Sequence, residues 1–227
     1  MEWNKKFTYP KSTRSIINGS RHYALDGNNL PSVTSILKAT QSEEDKAGIA
    51  AWKERVGHKE AERIKNEASN RGSLMHFFIE QYLTGKLNLD LLKETNKSKK
   101  MAIEIIDNGL KNKLSEIWGA EATVFYPQKY AGTADCIGIY EGKETILDFK
   151  QSNKPKKEQF VQDYFLQISG YILAHNKVYN SKIIQGAVLV CTVDGLFQNF
   201  KIEGNELINF QNKFLERVEQ FYNQLRK

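Results

Sequence analysis

The sequence predicts an α/β fold: a mixed central sheet, made of an antiparallel hairpin and a parallel crossover, flanked by helices and preceded by a helical N-terminal half. Three observations carry this. Apolar residues recur at helical spacing across much of 42–118, whereas 131–140 and 145–150 read as strands on either side of the tight turn Glu141-Gly142. Downstream of a helical stretch comes the continuous apolar run from Ile183 to Cys191, the pattern of a strand buried on both faces.

The elements follow in order. Residues 1–41 form an extended, turn-rich segment, with a turn at Asp26-Gly27-Asn28-Asn29 before Leu30-Pro31-Ser32-Val33-Thr34-Ser35-Ile36-Leu37. Ser42, with Asp45 three positions on, caps a helix that runs through Trp52, pauses near Gly57 and resumes to Leu83. The spacing of Ile103, Ile106, Leu110, Leu114 and Ile117 predicts a third helix over 98–117. From 119 the α/β core takes over, with strands at 122–126, 131–140 and 145–150 and a helix over 158–174. The buried strand at 183–191, a short strand at 197–202 and an amphipathic helix at 206–225 complete it. With no repeat or linker, the 227 residues read as a single domain.

Composition narrows the chemistry. Two cysteines, Cys136 and Cys191, both inside predicted strands, point to reduced core residues in a cytoplasmic setting, and to neither a disulfide framework nor a zinc site. The start, MEWNKKFTYP, lacks the apolar run of a signal peptide, and no window reaches the length of a membrane span. A net charge of +6 and a pI near 9.1 favour a polyanionic partner if the lysines cluster, as at Lys97, Lys99 and Lys100 or Lys154, Lys156 and Lys157.

Residues two apart in a strand share a face, so Asp148 and Lys150 of Asp148-Phe149-Lys150 point one way and Phe149 the other. A two-residue loop at Glu141-Gly142 places Asp135 directly across from Asp148. Facing carboxylates repel and resist desolvation, which makes sense with a cation between them; hard oxygen donors point to magnesium or manganese. Such an ion binds a phosphate and acidifies a coordinated water, Lys150 orients that water or offsets charge on the phosphorane, and the Phe149 carbonyl is a candidate further ligand. An Asp-x-Lys triplet alone is common, and a surface ion pair is its plain structural reading; the hairpin, the upstream Gly132-Thr133-Ala134-Asp135 and the following helix give it weight.

The segment from Tyr130 to Tyr171, with Gly-Thr-Ala-Asp, Leu-Asp-Phe-Lys and then Gln167 and Tyr171 four apart, resembles the RecB-like branch of the PD-(D/E)XK nuclease superfamily, which has a restriction-endonuclease-like core. Within it the likeness is to the mitochondrial genome maintenance exonuclease family and similar phage exonucleases. It extends upstream to Pro31-Ser32-Val33-Thr34-Ser35-Ile36-Leu37 and to Arg71-Gly72-Ser73-Leu74-Met75-His76 with Glu80, covering roughly residues 20–200. The resemblance implies that Asp135 and Asp148 are metal ligands, Lys150 the catalytic lysine, His76 a metal-site ligand or orienting group, and Gln167 and Tyr171 neighbours of the scissile phosphate. Ser32, Thr34 and Arg71 join the candidate substrate contacts on the same basis.

The residues themselves leave alternatives open. His76, Ile79, Glu80 and Leu83 share one helical stripe, so a His and a Glu enter a face that should be buried; they are either metal-site groups or a core histidine bonded to Glu80. His22, His58 and His175 read as structural or solvent-facing. Phe160 and Tyr164 read as core, on the helical face shared with Gln167 and Tyr171.

Trp52, Lys53, Arg55, Lys59, Arg63 and Arg71 lie among apolar residues in the helical half and are candidates for a channel that holds phosphates and stacks bases; a solvated helix face is the alternative. By the resemblance, the expected activity is a metal-dependent exonuclease on single-stranded DNA, ends or flaps, in a bacterial cell or phage-infected host. A nicking endonuclease of the same fold and a non-catalytic DNA-binding module are the competing readings. Two cysteines cannot supply the four-cysteine iron–sulfur cluster of some related nucleases, and no phosphate-binding loop implies a nucleotide cofactor.

Overall fold

A computed structural model describes residues 1–25, 27–86 and 96–226. The central sheet contains β1 (Glu2–Trp3), β5 (Leu114–Tyr126), β6 (Tyr130–Tyr140), β7 (Lys143–Ser152), β8 (Gln185–Thr192) and β9 (Phe197–Glu203), adjacent in that order. The pairs β5–β6, β6–β7 and β8–β9 are antiparallel; β1–β5 and β7–β8 are parallel. Glu141 and Gly142 both take positive φ, 48° and 79°, the primed-turn conformation whose twist matches the strands it joins. A second sheet is a three-stranded meander of β2 (Thr13–Ile17), β3 (Ser20–Leu25) and β4 (Asn28–Pro31). Its second turn turns at Gly27 (φ 79°), and Asn28 and Asn29, expected in that turn, already belong to β4; Asp26 lies outside the described residues.

Helices cover both faces of the large sheet. On one side α1 (Val33–Ala39), α5 (Gln162–Tyr179) and α6 (Gly204–Leu225) bury Ile36, Phe165, Ile172, Phe210 and Phe214 against Ile146, Val188 and Val190. On the other, α3 (His58–Leu83) and α4 (Lys97–Ile105) bury Met75, Ile79, Leu83 and Met101 against Leu147, Phe149 and Leu189. The parallel β7–α5–β8 crossover follows from a strand that must be covered on both faces. Ser42 caps α2 (Glu43–Val56) by accepting from the Asp45 amide at 3.0 Å and donating to its carboxylate at 2.6 Å. Gly57, at φ 85°, separates α2 from α3, and α2 buries none of its side chains.

Two sequence expectations change. The helix predicted over 98–117 stops at Ile105 and closes in one wide π turn, Ile106–Leu110, with the Lys111 amide donating to Ile106 O at 2.8 Å. Gly109 approaches the sheet so closely that a Cβ would lie 2.9 Å from Leu189, and Asn112 turns the chain at φ 60°. Leu114 and Ile117 therefore belong to β5, which starts eight residues before the expected strand at 122. Secondly, α5 begins at Gln162 rather than 158; Phe160 sits in the preceding 3-10 turn, where the four-residue period does not apply, and is exposed rather than core. Among the described residues no helix is long and apolar enough to cross a membrane.

Candidate active site

The β6–β7 ladder runs from Tyr140↔Lys143 to Cys136↔Leu147 and ends there, one step short of Asp135 and Asp148. Instead of a further backbone pair, the Phe149 amide donates to Asp135 Oδ2 at 2.7 Å, a bond between a strand amide and an acid that fixes the carboxylate against β7. Asp148 and Lys150 do share a face, with Lys150 Nζ 2.5 Å from Asp148 Oδ2, while Phe149 is buried on the α3–α4 side.

Helices from both layers reach this point. From α3, His76 Nδ1 lies 3.5 Å from Asp135 Oδ1 and 3.7 Å from Glu121 Oε1. From α5, Gln167 Nε2 donates to Asp148 Oδ1 at 3.1 Å and to Tyr171 Oη at 2.9 Å. The Tyr171 ring packs against Gly132, where a Cβ would lie 2.4 Å from it, so the glycine of Gly132-Thr133-Ala134-Asp135 makes room for the group that positions Gln167. The Lys150 ammonium also lies over the half-buried Tyr164 ring, 5.3 Å from its centroid.

Asp135, Asp148, Lys150, His76, Glu121, Gln167 and Tyr171 open on one cavity of about 420 Å3, which Ser32, Thr34 and Glu80 also line. Ser32 caps α1 by accepting from the Ser35 amide, and its bridge to Ala131 ties that cap to β6. The remaining candidates lie off the cavity wall. Arg71 donates to Gln151 Oε1 at 2.9 Å and to Asn153 Oδ1; Trp52 and Arg55 sit on α2, and Arg63 is paired with Glu60 and Glu67 of its own helix.

Glu121 escapes the sequence reading altogether. The histidine meets Asp135 and Glu121 rather than Glu80, and the donor atoms of His76, Glu121 and Asp135 all lie within 4.8 Å of one another. Glu121 precedes the predicted strand, carries no motif, and holds a left-handed backbone (φ 48°) inside β5, where no ordinary strand pattern would expose it. Arg14 and Arg21, on the small meander, line the cavity too and likewise have no local signature.

Charge is unevenly distributed in the cluster. Burial, together with the Asp135 charge, raises Asp148 to about 6 against the pull of Lys150. Burial also opposes the charge on Asp135, but His76, Lys150 and the Phe149 amide prevail and hold its carboxyl below the usual range. Burial works against a protonated His76 as well, yet Asp135 and hydrogen bonds to Asp135 and Glu121 raise it to about 10. A hard divalent cation fits this donor set: three converging N and O donors, and beside them the buried Asp148 carboxylate, held by Lys150 and Gln167.

No family model matches the chain. Among curated proteins it is similar to mitochondrial genome maintenance exonuclease 1 of Homo sapiens, 30% identical over 210 residues that span 87% of this chain and 59% of the relative. The Xenopus tropicalis protein of that name is 28% identical over 219 residues, 89% of this chain and 60% of the relative. The chain thus spans about 60% of the length of these relatives. Among solved structures, a putative exonuclease from Eubacterium rectale aligns with a TM-score of 0.47 at 16% identity, covering 68% of this chain and 65% of that one. An alkaline exonuclease from Laribacter hongkongensis aligns at 0.34 and 15% identity, covering 67% and 81%. Over nearly nine-tenths of its length, the chain is a sequence relative of the mitochondrial genome maintenance exonucleases, the likeness that its PD-(D/E)XK-type motifs imply.

Proposed function

We propose that this protein is a metal-dependent DNA exonuclease that hydrolyses phosphodiester bonds, acting on single-stranded DNA, ends or flaps. The observation that carries this is the meeting of Asp135, Asp148, Lys150, His76 and Glu121 at the point where β6 and β7 part, on the wall of one cavity. Asp135 and Asp148 are buried close together on its wall, an arrangement that suits a divalent cation between the acids and a phosphate. The relatives named above are exonucleases, which supports the same reading.

In the proposed site Asp135, Glu121 and His76 hold magnesium or manganese, with Asp148 and the Phe149 carbonyl as further candidate ligands. A bound divalent ion there supplies Lewis acidity toward the phosphate and lowers the pKa of water. His76, whose proton Asp135 and Glu121 favour in the metal-free site, would have to release a ring proton to serve as a ligand. Lys150 keeps its ammonium, because Asp148 and Asp135 raise its pKa against the effect of burial, and it donates to an oxygen on which negative charge grows. Tyr171 fixes Gln167, and Gln167 fixes Asp148, so the ligand carboxylate does not have to be ordered during turnover.

The test is end-labelled linear and circular single-stranded DNA with the purified protein, in magnesium or in chelator. Linear DNA should be degraded only with the metal and closed circles left intact; Asp148→Ala should abolish cleavage while leaving DNA binding largely unchanged. Cutting of circles would move the protein to the endonuclease class. Wild-type cleavage by the variant would remove Asp148 from the site.

A further inference from the structure

We propose that Arg14 and Arg21 form a clamp for a backbone phosphate next to the one that is cut, so that the small meander is part of the strand-binding track. The inference rests on the nuclease reading, since it concerns the same cavity.

The register of the meander puts Arg14 opposite Tyr23 and Ile16 opposite Arg21. Because side chains alternate along a strand, these four share one face. The inner part of that face is docked: Tyr23, Leu25 and Leu30 are buried with Ala131 of β6. Its outer part, with Ile16 70% exposed, extends past the docked region, and both arginines line the cavity that holds Asp135 and Lys150. The overhang is fixed in place. Tyr23 Oη and Thr133 Oγ1 lie 3.1 Å apart, the Arg21 amide donates to Ser35 Oγ at 2.9 Å, and the Ser32 amide donates to Arg21 O at 2.9 Å.

Charge distribution then separates these arginines from the other cations of the site. Lys150 is committed to Asp148, and His76 to Asp135 and Glu121. Arg14 donates to Thr133 Oγ1 at 2.8 Å and comes only within 3.9 Å of Glu121, with its side chain half exposed. A pair that long and that wet holds the guanidinium weakly. Arg21 is exposed and makes no ion pair with any described residue. Two forked donors on a rigid face, beside a site for one phosphodiester, suit the bidentate capture of another phosphate of the same strand. Such contacts read the backbone and not the bases.

The test uses a single-stranded oligonucleotide of about 20 nucleotides and measures affinity in chelator, where binding is read without cleavage. Arg14→Gln and Arg21→Gln should each weaken binding several-fold and reduce the slope of log Kd against log salt by about 0.7. Arg14→Lys should recover part of the loss. A single uncharged methylphosphonate, scanned along the strand, should weaken wild-type binding about tenfold at one position near the cut, and should cost the double glutamine variant much less there. Unchanged Kd and salt slope in both variants would overturn the clamp. So would a methylphosphonate penalty equal in wild type and double variant. Absence of cleavage of plain DNA by the wild type would instead remove the nuclease reading, while these binding measurements still decide the clamp.

Discussion

Acid should destabilise this protein through one buried histidine remote from the cleavage chemistry. His175 lies on α5, one turn beyond Tyr171, and is fully buried. Its Nε2 is 3.0 Å from Tyr9 Oη and its Nδ1 2.7 Å from Ser181 Oγ, with the Phe7 and Tyr179 rings packed around it. Burial, with a smaller contribution from the Lys6 charge, lowers its pKa from 6.5 to about 4. An unfolded chain takes up this proton below pH 6.5, whereas the folded one refuses it until about pH 4, so stability falls with acid through that window and is unaffected above it. At about 1.4 kcal/mol per pH unit the full effect is about 3 kcal/mol, and roughly 2 kcal/mol is already lost at pH 5. For a chain of this size that corresponds to a drop in Tm of about 4–8 °C. Thermal unfolding of wild type and His175→Gln at pH 7.5 and pH 5 isolates the effect, because all other titrating groups are common to both. The variant, which keeps hydrogen-bonding capacity but does not titrate, should lose less stability on acidification by about that amount. Equal losses in the two proteins would refute the assignment.

Two further outcomes follow from the site. Gly132→Ala puts a methyl group against the Tyr171 ring, so it should lower stability by about 1–3 kcal/mol and reduce cleavage further than the stability loss explains, by shifting Gln167 off Asp148; denaturant unfolding and steady-state rates on one DNA substrate measure both. Glu121→Gly frees a left-handed backbone position and should stabilise the metal-free protein by about 1 kcal/mol, while the rise in Tm on adding magnesium shrinks. Loss of stability together with an undiminished magnesium response would oppose the role given to Glu121.

What could be read from the sequence was what local rules govern. The turn at Glu141-Gly142, the shared face of Asp148 and Lys150, and the long apolar strand near Val188 each follow from spacing within a few residues. The helix over 98–117 went wrong because local rules could not decide it. Leu110, Leu114 and Ile117 fit a helical period, yet Leu114 and Ile117 fit a strand as well, and the close approach of Gly109 to Leu189, about 80 residues on, decided between them. Glu121 stayed hidden because only an irregular backbone turns it toward His76, and Arg14 and Arg21 because only the docking of the meander on β6 brings them near Asp135.

The early end of the β6–β7 ladder has a consequence for how the acidic centre tolerates change. Where two strands unzip, a peptide amide is released from its neighbour, and here it is the amide of Phe149 that grips Asp135. That grip belongs to the main chain, so any side chain except proline at 149 preserves it. Changes at that position then act through packing beneath the sheet and against the His76 ring, leaving the acid's tether untouched.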